Sequence, residues 1–221
     1  MKNKWNDSDA KAAIEKYKDV SEDVALRVYT SRLIGADPAL VLHGGGNTSV
    51  KSRTFNKVNE EVEVLYVKGS GWDLDTLEPQ GLPGVLLDHL QKLRNLDRLS
   101  DEEMVNEQRT HLLDASSPNP SVETLLHAFL PHKFIDHSHA DASLILANQP
   151  DAEALCQEIY GDRIGIVSYI MPGFALAKAS AEVYEKNPNV EGLMLINHGL
   201  FTFGNTAKES YDRHIHAVTL A

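Results

Sequence analysis

The sequence has a single cysteine, Cys156, among 221 residues. One thiol excludes an intramolecular disulfide and any cysteine-based metal cluster, and it fits a reducing compartment. Positive charge is also short: 21 Lys and Arg stand against 32 Asp and Glu, a formal net charge of −11. A nucleic-acid binder carries a basic face or stripe, and the nearest candidate, Lys51, Arg53 and Lys57, is a thin scatter. The same deficit argues against anionic membrane surfaces. Long apolar runs are missing too. None approaches the roughly 18 residues needed to cross a bilayer, and the polar stretch Met1 to Asp9 has no signal-peptide core. The expectation is a soluble, cytoplasmic protein with neither a nucleic-acid nor a membrane partner. Repeats, low-complexity tracts and Gly/Ser linkers are absent, so residues 1–221 read as one domain, long enough to bury a core without cross-links. Histidine, by contrast, occurs ten times, which directs attention to imidazole chemistry.

Hydrophobic spacing predicts a helix over residues 9–35, broken near Ser21, from Ala13, Ile14, Tyr17, Val20, Val24 and Val28. Leu40 to Leu42 is a short apolar run entering three glycines, and Ser49 to Lys51 leads into a polar turn. Glu61 to Val67 alternates as a half-buried strand does. Amphipathic helices are predicted over Val85 to Leu96 and Asp101 to Leu113, the second with Ser100 and Glu103 as a capping box. Asn119-Pro120-Ser121 reads as a helix start, with Asn as cap and Pro in the first turn, for a helix reaching Leu130. Phe134 to His139 reads as a strand, Ala142 to Ala147 as a helix, and Val167 to Ile170 as a short strand. Pro172-Gly173 is a break. A helix over Leu176 to Tyr184, strands at Gly192 to Ile196 and Leu200 to Phe203, and a helix over Tyr211 to Leu220 complete the chain. Strands and helices alternate irregularly, giving an α/β or α+β class with a mixed sheet covered by helices.

His137-Ser138-His139 is the sharpest local signal. On a strand, residues two apart share a face, so both rings can chelate one ion. On a helix the same spacing turns them about 200° apart, which dismisses His214-Ile215-His216. The plainer reading of the first pair is a polar strand end. His198, in the Asn197-His198-Gly199 turn between two apolar strands, is a reasonable third ligand; three histidines with open positions mark a catalytic rather than a structural ion. Glu123 falls in the first turn of the helix predicted from Pro120, where interaction with the helix dipole is explanation enough. His127, four residues on, shares its helix face and is a rival ligand.

Gly44-Gly45-Gly46-Asn47-Thr48-Ser49 has no Walker lysine and no G-x-G-x-x-G spacing. It offers backbone N–H groups that can approach an anion closely, beside amide and hydroxyl donors. Lys68-Gly69-Ser70-Gly71 and Pro120-Ser121 are two more such places. Glycine turns are usually just turns; three of them near a candidate metal site point to a phosphorylated substrate gripped near the ion.

These segments resemble a known family. His43 to Ser49, Val67 to Trp72, Pro120 to Glu123, His137 to Asp141 and Asn197 to Phe201 occur in the order seen in class II aldolase/adducin-type proteins. The likeness covers about residues 25 to 215 and is greatest to the aldolase half of bifunctional rhamnulose-1-phosphate aldolase/dehydrogenase proteins. It implies a three-layer αβα fold with a central mixed, largely antiparallel sheet. It implies a divalent ion, Zn2+ as first choice, held by His137, His139, His198 and Glu123, with Glu123 also the proton-abstracting base. It implies a substrate phosphate held by Gly46, Asn47, Ser70, Gly71 and Ser121, and a homo-oligomer, a tetramer in relatives. The implied reaction cleaves a ketose 1-phosphate to dihydroxyacetone phosphate and an aldehyde. The alternatives are a pentose-phosphate epimerase, a sugar-phosphate dehydratase, or a non-catalytic adducin-like interaction domain. Three departures stand out. Val122 replaces a second phosphate-site serine of the fuculose-phosphate relatives, no dinucleotide fingerprint serves a dehydrogenase half, and no C-terminal tyrosine or lid can be assigned before Ala221. A fragment of a longer chain and a stand-alone domain of reduced activity are both open.

Overall fold

The computed structural model describes all 221 residues. In chain order the elements are α1 (Asp7–Lys16), α2 (Glu22–Gly35), β1 (Asn47–Phe55), β2 (Glu61–Val67), β3 (Gly84–Leu86), α3 (Leu87–Leu93), α4 (Asp101–Thr110), α5 (Thr124–Phe129), β4 (Phe134–Ser138), α6 (Asp141–Ala147), α7 (Ala152–Tyr160), β5 (Ile164–Val167), α8 (Phe174–Lys186), β6 (Gly192–Leu195), β7 (Gly199–Gly204) and α9 (Ala207–Leu220). The seven strands form one sheet in the order β3-β2-β1-β4-β7-β6-β5. Every neighbouring pair is antiparallel except β5 with β6. Two apolar clusters of similar size, 24 and 23 buried residues, cover the sheet. Residues of α2, α6, α7 and α9 enter the first and residues of α3, α4, α5 and α8 the second, so the architecture is the expected helix–sheet–helix sandwich.

The boundaries follow local chemistry. Ser21 breaks the first helical pattern because its hydroxyl accepts from the Val24 N–H as the N-cap of α2. The Ser100–Glu103 capping box opens α4 as expected. Several expectations are corrected. Ser49 to Lys51 lies within the nine-residue β1, so the strand runs on to Phe55 and the polar turn it leads into comes only after that residue. Val85 belongs to β3, paired with Leu65, so α3 begins two residues later. The short strand near Val167 lies earlier, at Ile164–Val167, paired in parallel with β6. A helix, α7, also runs over Ala152–Tyr160, just past the Asn148-Gln149-Pro150 break.

Strand alternation sorts the sheet centre into two faces. His137, opposite Asn47 on β1 and Phe201 on β7, looks toward α5. Thr48, Asp136 and Thr202, in register with one another, look toward α2 and α9, and all three are buried. This second face carries a polar layer in place of apolar packing. Arg27 on α2 donates to the Thr30 hydroxyl and the Asp136 carboxylate, and to the carbonyls of Ser49 and Ile135 at 3.3 and 3.2 Å. Ser210 donates to the other Asp136 oxygen at 2.5 Å, and the Ser31 and Thr48 hydroxyls meet at 2.7 Å. His214 on α9 bridges the Thr202 and Ser138 hydroxyls at 2.9 and 2.7 Å. The helical reading that removed His214 and His216 from the metal candidates holds: α9 buries the first and leaves the second exposed.

Two outcomes are expected. Arg27→Ala strands a buried carboxylate and should cost roughly 3–5 kcal/mol in urea unfolding, whereas Arg27→Met combined with Asp136→Leu should cost less, because no charge is left unpaired. Burial pushes the His214 imidazole down to about 4. The unfolded chain binds its proton near 6.5, so this contribution is complete above that pH and lost as the pH falls toward 4. Unfolding free energies should drop over that window by up to roughly 3 kcal/mol from this group, and His214→Gln should flatten the slope.

Candidate active site

The site is built where β1, β4 and the turn before β7 meet. His137 closes β4 on the α5 face, fully buried, its ring stacked on Phe201 at 4.0 Å and 14°. Its Nδ1 lies 3.1 Å from the Leu200 carbonyl. A carbonyl only accepts, so Nδ1 carries the hydrogen and the Nε2 lone pair is left for a ligand. His139 lies just past the strand, exposed, with its Nε2 3.0 Å from that of His137. His198 arrives from the β6–β7 turn, where Asn197 takes a φ of 57°. Gly199 follows because a Cβ there would sit 2.6 Å from the Ser138 carbonyl and 3.0 Å from both the His137 and His139 rings. Ligand nitrogens of the three histidines all lie within 4.8 Å of one another.

Glu123 completes the cluster from another direction. Its carboxylate oxygens lie 3.4 Å from His137 Nε2 and 2.9 Å from His198 Nε2. The second approach lacks hydrogen-bond alignment, so the buried Oε1 has no hydrogen-bond partner. Burial would raise the Glu123 carboxyl, but the proximity of His137 and His198 and the Asn47 amide outweigh it and hold it well below the usual carboxylate range. Burial drives His137 well below its ordinary value and lowers His139 as well, with His198 adding to the second effect. Three imidazoles beside an ionised carboxylate with an unpartnered oxygen are the donor set a divalent ion takes, so these four residues fit one.

The expected helix start at Pro120 is corrected. Pro120 instead bridges to Gly69, and the Asn119 carbonyl accepts from the Ser70 N–H at 2.8 Å. Those main-chain groups are spent on holding two loops together, so the helix starts only at Thr124 with Glu123 as its N-cap residue. Glu123 therefore sits at the cap, outside the first turn.

His127 is placed where it cannot be a ligand. It is fully buried, with Nδ1 2.7 Å from the Ser49 hydroxyl and Nε2 against Asn47 Oδ1. The amide oxygen only accepts, so Nε2 donates and Nδ1 accepts from Ser49. Burial pushes this ring down to about 3, and it is neutral. With Oδ1 so occupied, Asn47 Nδ2 points at Glu123 Oε2 and at Ser121 Oγ, 3.2 Å away. Ser49, which no spacing rule singles out, thus anchors a chain running Ser49–His127–Asn47–Glu123.

Beside the histidines is a cleft of about 330 Å³. Gly46, Asn47, Ser70, Gly71 and Ser121 all line it, together with Glu123, His139 and His198. Gly46 is required there: φ is 63°, and a Cβ would come 2.6 Å from the His137 carbonyl. Val122 lies at the rim, half its surface in solvent. The cleft also contains Lys68, a residue passed over inside a motif read for its glycines and serine. A second histidine cluster, His89, Glu107 and His111, lies on α3 and the end of α4. Its two rings stack at 3.3 Å and 6°, and parallel planes cannot both aim a lone pair at one ion.

The fold and the histidine–glutamate constellation define a class II aldolase-type domain. Residues 26–221 match the Class II Aldolase and Adducin N-terminal domain family, and the chain belongs to that family. It is 40% identical over 201 residues to YuxG of Bacillus subtilis (strain 168), described as an uncharacterized oxidoreductase; the match takes in 91% of this chain and 29% of that protein. The chain thus spans about three tenths of the length of this curated relative. Its structure is similar to the N-terminal class II aldolase domain of a conserved protein from Thermoplasma acidophilum, with 41% identity and a TM-score of 0.89, over 100% of this chain and 97% of that one. A sugar-phosphate aldolase from Thermotoga maritima shares the fold at 15% identity and a TM-score of 0.67, over 90% of this chain and 91% of that one. No helix is long and apolar enough to cross a membrane.

His139→Ala tests the metal assignment with little structural disturbance, because the ring is exposed. The variant should melt with the metal-free wild type yet lose the stoichiometric ion by elemental analysis. Ion retained at one per chain after His137, His139 and His198 are all replaced would remove the assignment.

Proposed function

We propose that this domain is a divalent-metal-dependent aldolase that cleaves a ketose 1-phosphate, rhamnulose 1-phosphate-like, to dihydroxyacetone phosphate and an aldehyde. One observation carries the reading. Three imidazoles and the Glu123 carboxylate converge at the edge of a cleft rich in uncharged anion donors. His137, His139, His198 and Glu123 would hold the ion, and that donor set suits zinc among the divalent metals. When bound, such an ion supplies Lewis-acid stabilisation of the negative charge left on the substrate oxygens when the C3–C4 bond breaks.

The protein's own groups divide the remaining work. Gly46 and Gly71 offer backbone N–H groups, and Asn47, Ser70 and Ser121 offer side-chain donors, to the phosphate. Binding energy from this remote group orients the reacting carbons. Glu123 moves protons. In condensation it takes one from C3 of dihydroxyacetone phosphate while the aldehyde oxygen gains one and becomes the C4 hydroxyl. In cleavage the C4 hydroxyl gives up its proton as the C3–C4 bond breaks, while Glu123, then protonated, delivers one to C3. A carboxylate held so far below its usual range is a weak base while Asn47 and the histidines surround it. Substrate phosphate competing for the Asn47 amide would release one of those contacts and restore basicity as the charge arrives.

The decisive assay offers a panel of ketose 1-phosphates to the zinc-loaded domain and measures triose phosphate released. An isomeric product would indicate an epimerase and loss of water a dehydratase. Glu123→Gln should keep the fold and slow proton exchange at C3 of dihydroxyacetone phosphate by roughly a hundredfold or more, the usual scale for removing a general base. Exchange at the wild-type rate in the metal-loaded variant would take the base role away from Glu123.

A further inference from the structure

Helix α5 has Glu123 at its N-cap and His127 in its last turn, and it is only six residues long. Isolated helices shorter than about 12 residues are marginal in water, so α5 depends on what it touches. Its apolar side packs against α3 and α8, a non-directional attraction that leaves its rotation to other contacts. The polar contacts come from β1, where Asn47, Ser49 and Lys51 are alternate residues of one face. The first two hold the His127 ring. Lys51 holds the main chain: its ammonium donates to the carbonyls of His127, Leu130 and His132 at 2.8, 2.6 and 2.8 Å. We propose that Lys51 is a positioning residue for Glu123, fastening the end of α5 to β1 so that the His127 ring stays turned to Asn47 and the Asn47 amide to Glu123. The inference rests on reading Glu123 as the base.

The need for Lys51 arises from Pro131. A helix leaves the carbonyls of its last turn without intrahelical donors, and in a continuing α-helix the N–H of residue 131 would serve the His127 carbonyl. Proline has no N–H, and it holds Leu130 in extended backbone, at φ −75° and ψ 137°. Lys51 supplies the missing donor from a strand 76 positions away. Carbonyls only accept, so three such contacts use all three hydrogens of the ammonium. A cation at a helix C-terminus is also favoured by the helix dipole. Charge pairing does not account for the side chain. It borders a cavity of about 470 Å³ with Asp23 and Glu63, but Asp23 is taken by Lys133 at 2.7 Å and Ser52 at 2.8 Å, and Glu63 by Arg53 at 3.1 Å. At the other end of α5 the Glu123 carbonyl accepts from the Leu126 and His127 N–H groups at 2.9 and 3.3 Å. His127 is thus joined to Glu123 by the main chain and, through Asn47, by side chains. A shift at the His127 carbonyl reaches the Glu123 carboxylate by both routes.

The test uses the zinc-loaded domain at about pH 6, below the value of about 7 to which burial pushes the Lys51 amine. NMR of the imidazole nitrogens reads the His127 tautomer, its signals assigned by their absence from His127→Gln. The wild type should show the Nε2–H form alone. Lys51→Met should mix the two tautomers and keep one ion per chain. It should slow proton exchange at C3 of dihydroxyacetone phosphate by about tenfold to a hundredfold, the scale of a small misplacement, in kcat and not in KM. Lys51→Arg should restore the tautomer and the rate, since the cavity beside it leaves room for a guanidinium. In Lys51→Met combined with His127→Gln, exchange should be no slower than in the slower single variant, because both changes break one chain. If Lys51→Met does not fold, Lys51→Gln takes its place with the same expectations. A single His127 tautomer with wild-type exchange in Lys51→Met, or single effects that multiply in the double variant, overturns the proposal. Mixed tautomers in Lys51→Met with no C3 exchange by the wild type keeps the Lys51 clamp and removes the aldolase reading. Exchange by the wild type with an unmoved tautomer in Lys51→Met does the reverse.

Discussion

Arg27 and Asp136 meet with no access to water, and the placement of the site follows from that pair. Burying two charges costs several kcal/mol per ion unless the geometry and the remaining hydrogen bonds are good. Here the guanidinium also reaches one carbonyl on β1 and one on β4, and Ser210 takes the second carboxylate oxygen. These bonds exist in one register only. That register sets Asn47 opposite His137. A slip of one residue would turn every side chain of a strand to the other face, sending His137 among the α2 and α9 side chains and Asp136 into the cleft. The polar layer behind the sheet thus determines which side the imidazoles occupy.

In front of the sheet a second network does for orientation what the first does for register. Ser49, His127 and Asn47 form a chain in which each donor has one acceptor, and its last link directs an amide N–H at Glu123. The Glu123 carboxylate is aimed, and held beside Asn47 and Ser121, by groups that are themselves buried and neutral. Asn47 touches both Ser121 and Glu123. Under the proposed function, that one side chain would couple a bound phosphate to Glu123, an arrangement in which remote binding energy can act on the reacting centre.

The two faces also divide the labour of stability and chemistry. Toward α2 and α9 the Ser138 hydroxyl is held by His214, so the residue between His137 and His139 is anchored from behind while its neighbours turn to the front. Toward α5 the His137 ring rests on Phe201 and keeps one nitrogen on the Leu200 carbonyl. Supporting contacts from both sides leave that imidazole little freedom except to present Nε2, which is the preorganisation a metal ligand or a catalytic group requires.

What the sequence alone determined was whatever depends on neighbours along the chain. The period-two pattern of Glu61 to Val67, the Ser21 and Ser100 caps, and the same-face logic of His137 and His139 were all legible because their physics is local. The five ordered motifs likewise pointed to the family before any coordinates. Residues joined only by folding could not be read this way. Arg27 and Asp136 are 109 positions apart, and in a helical pattern Arg27 looks like an ordinary solvated charge. His127 looked like a ligand because Glu123 is four residues away, and only the approach of β1, 80 positions distant from it at Asn47, shows both its nitrogens spent. The helix expected at Pro120 gave way because the Gly69 loop takes the hydrogen-bonding groups of that segment. Lys68 was visible but mute, since a lysine acquires meaning from the carbonyls it meets, and one of these, that of Gly44, belongs to a loop 24 residues earlier. Local rules reach as far as hydrogen bonds and turns do, and the rest was decided where distant strands met.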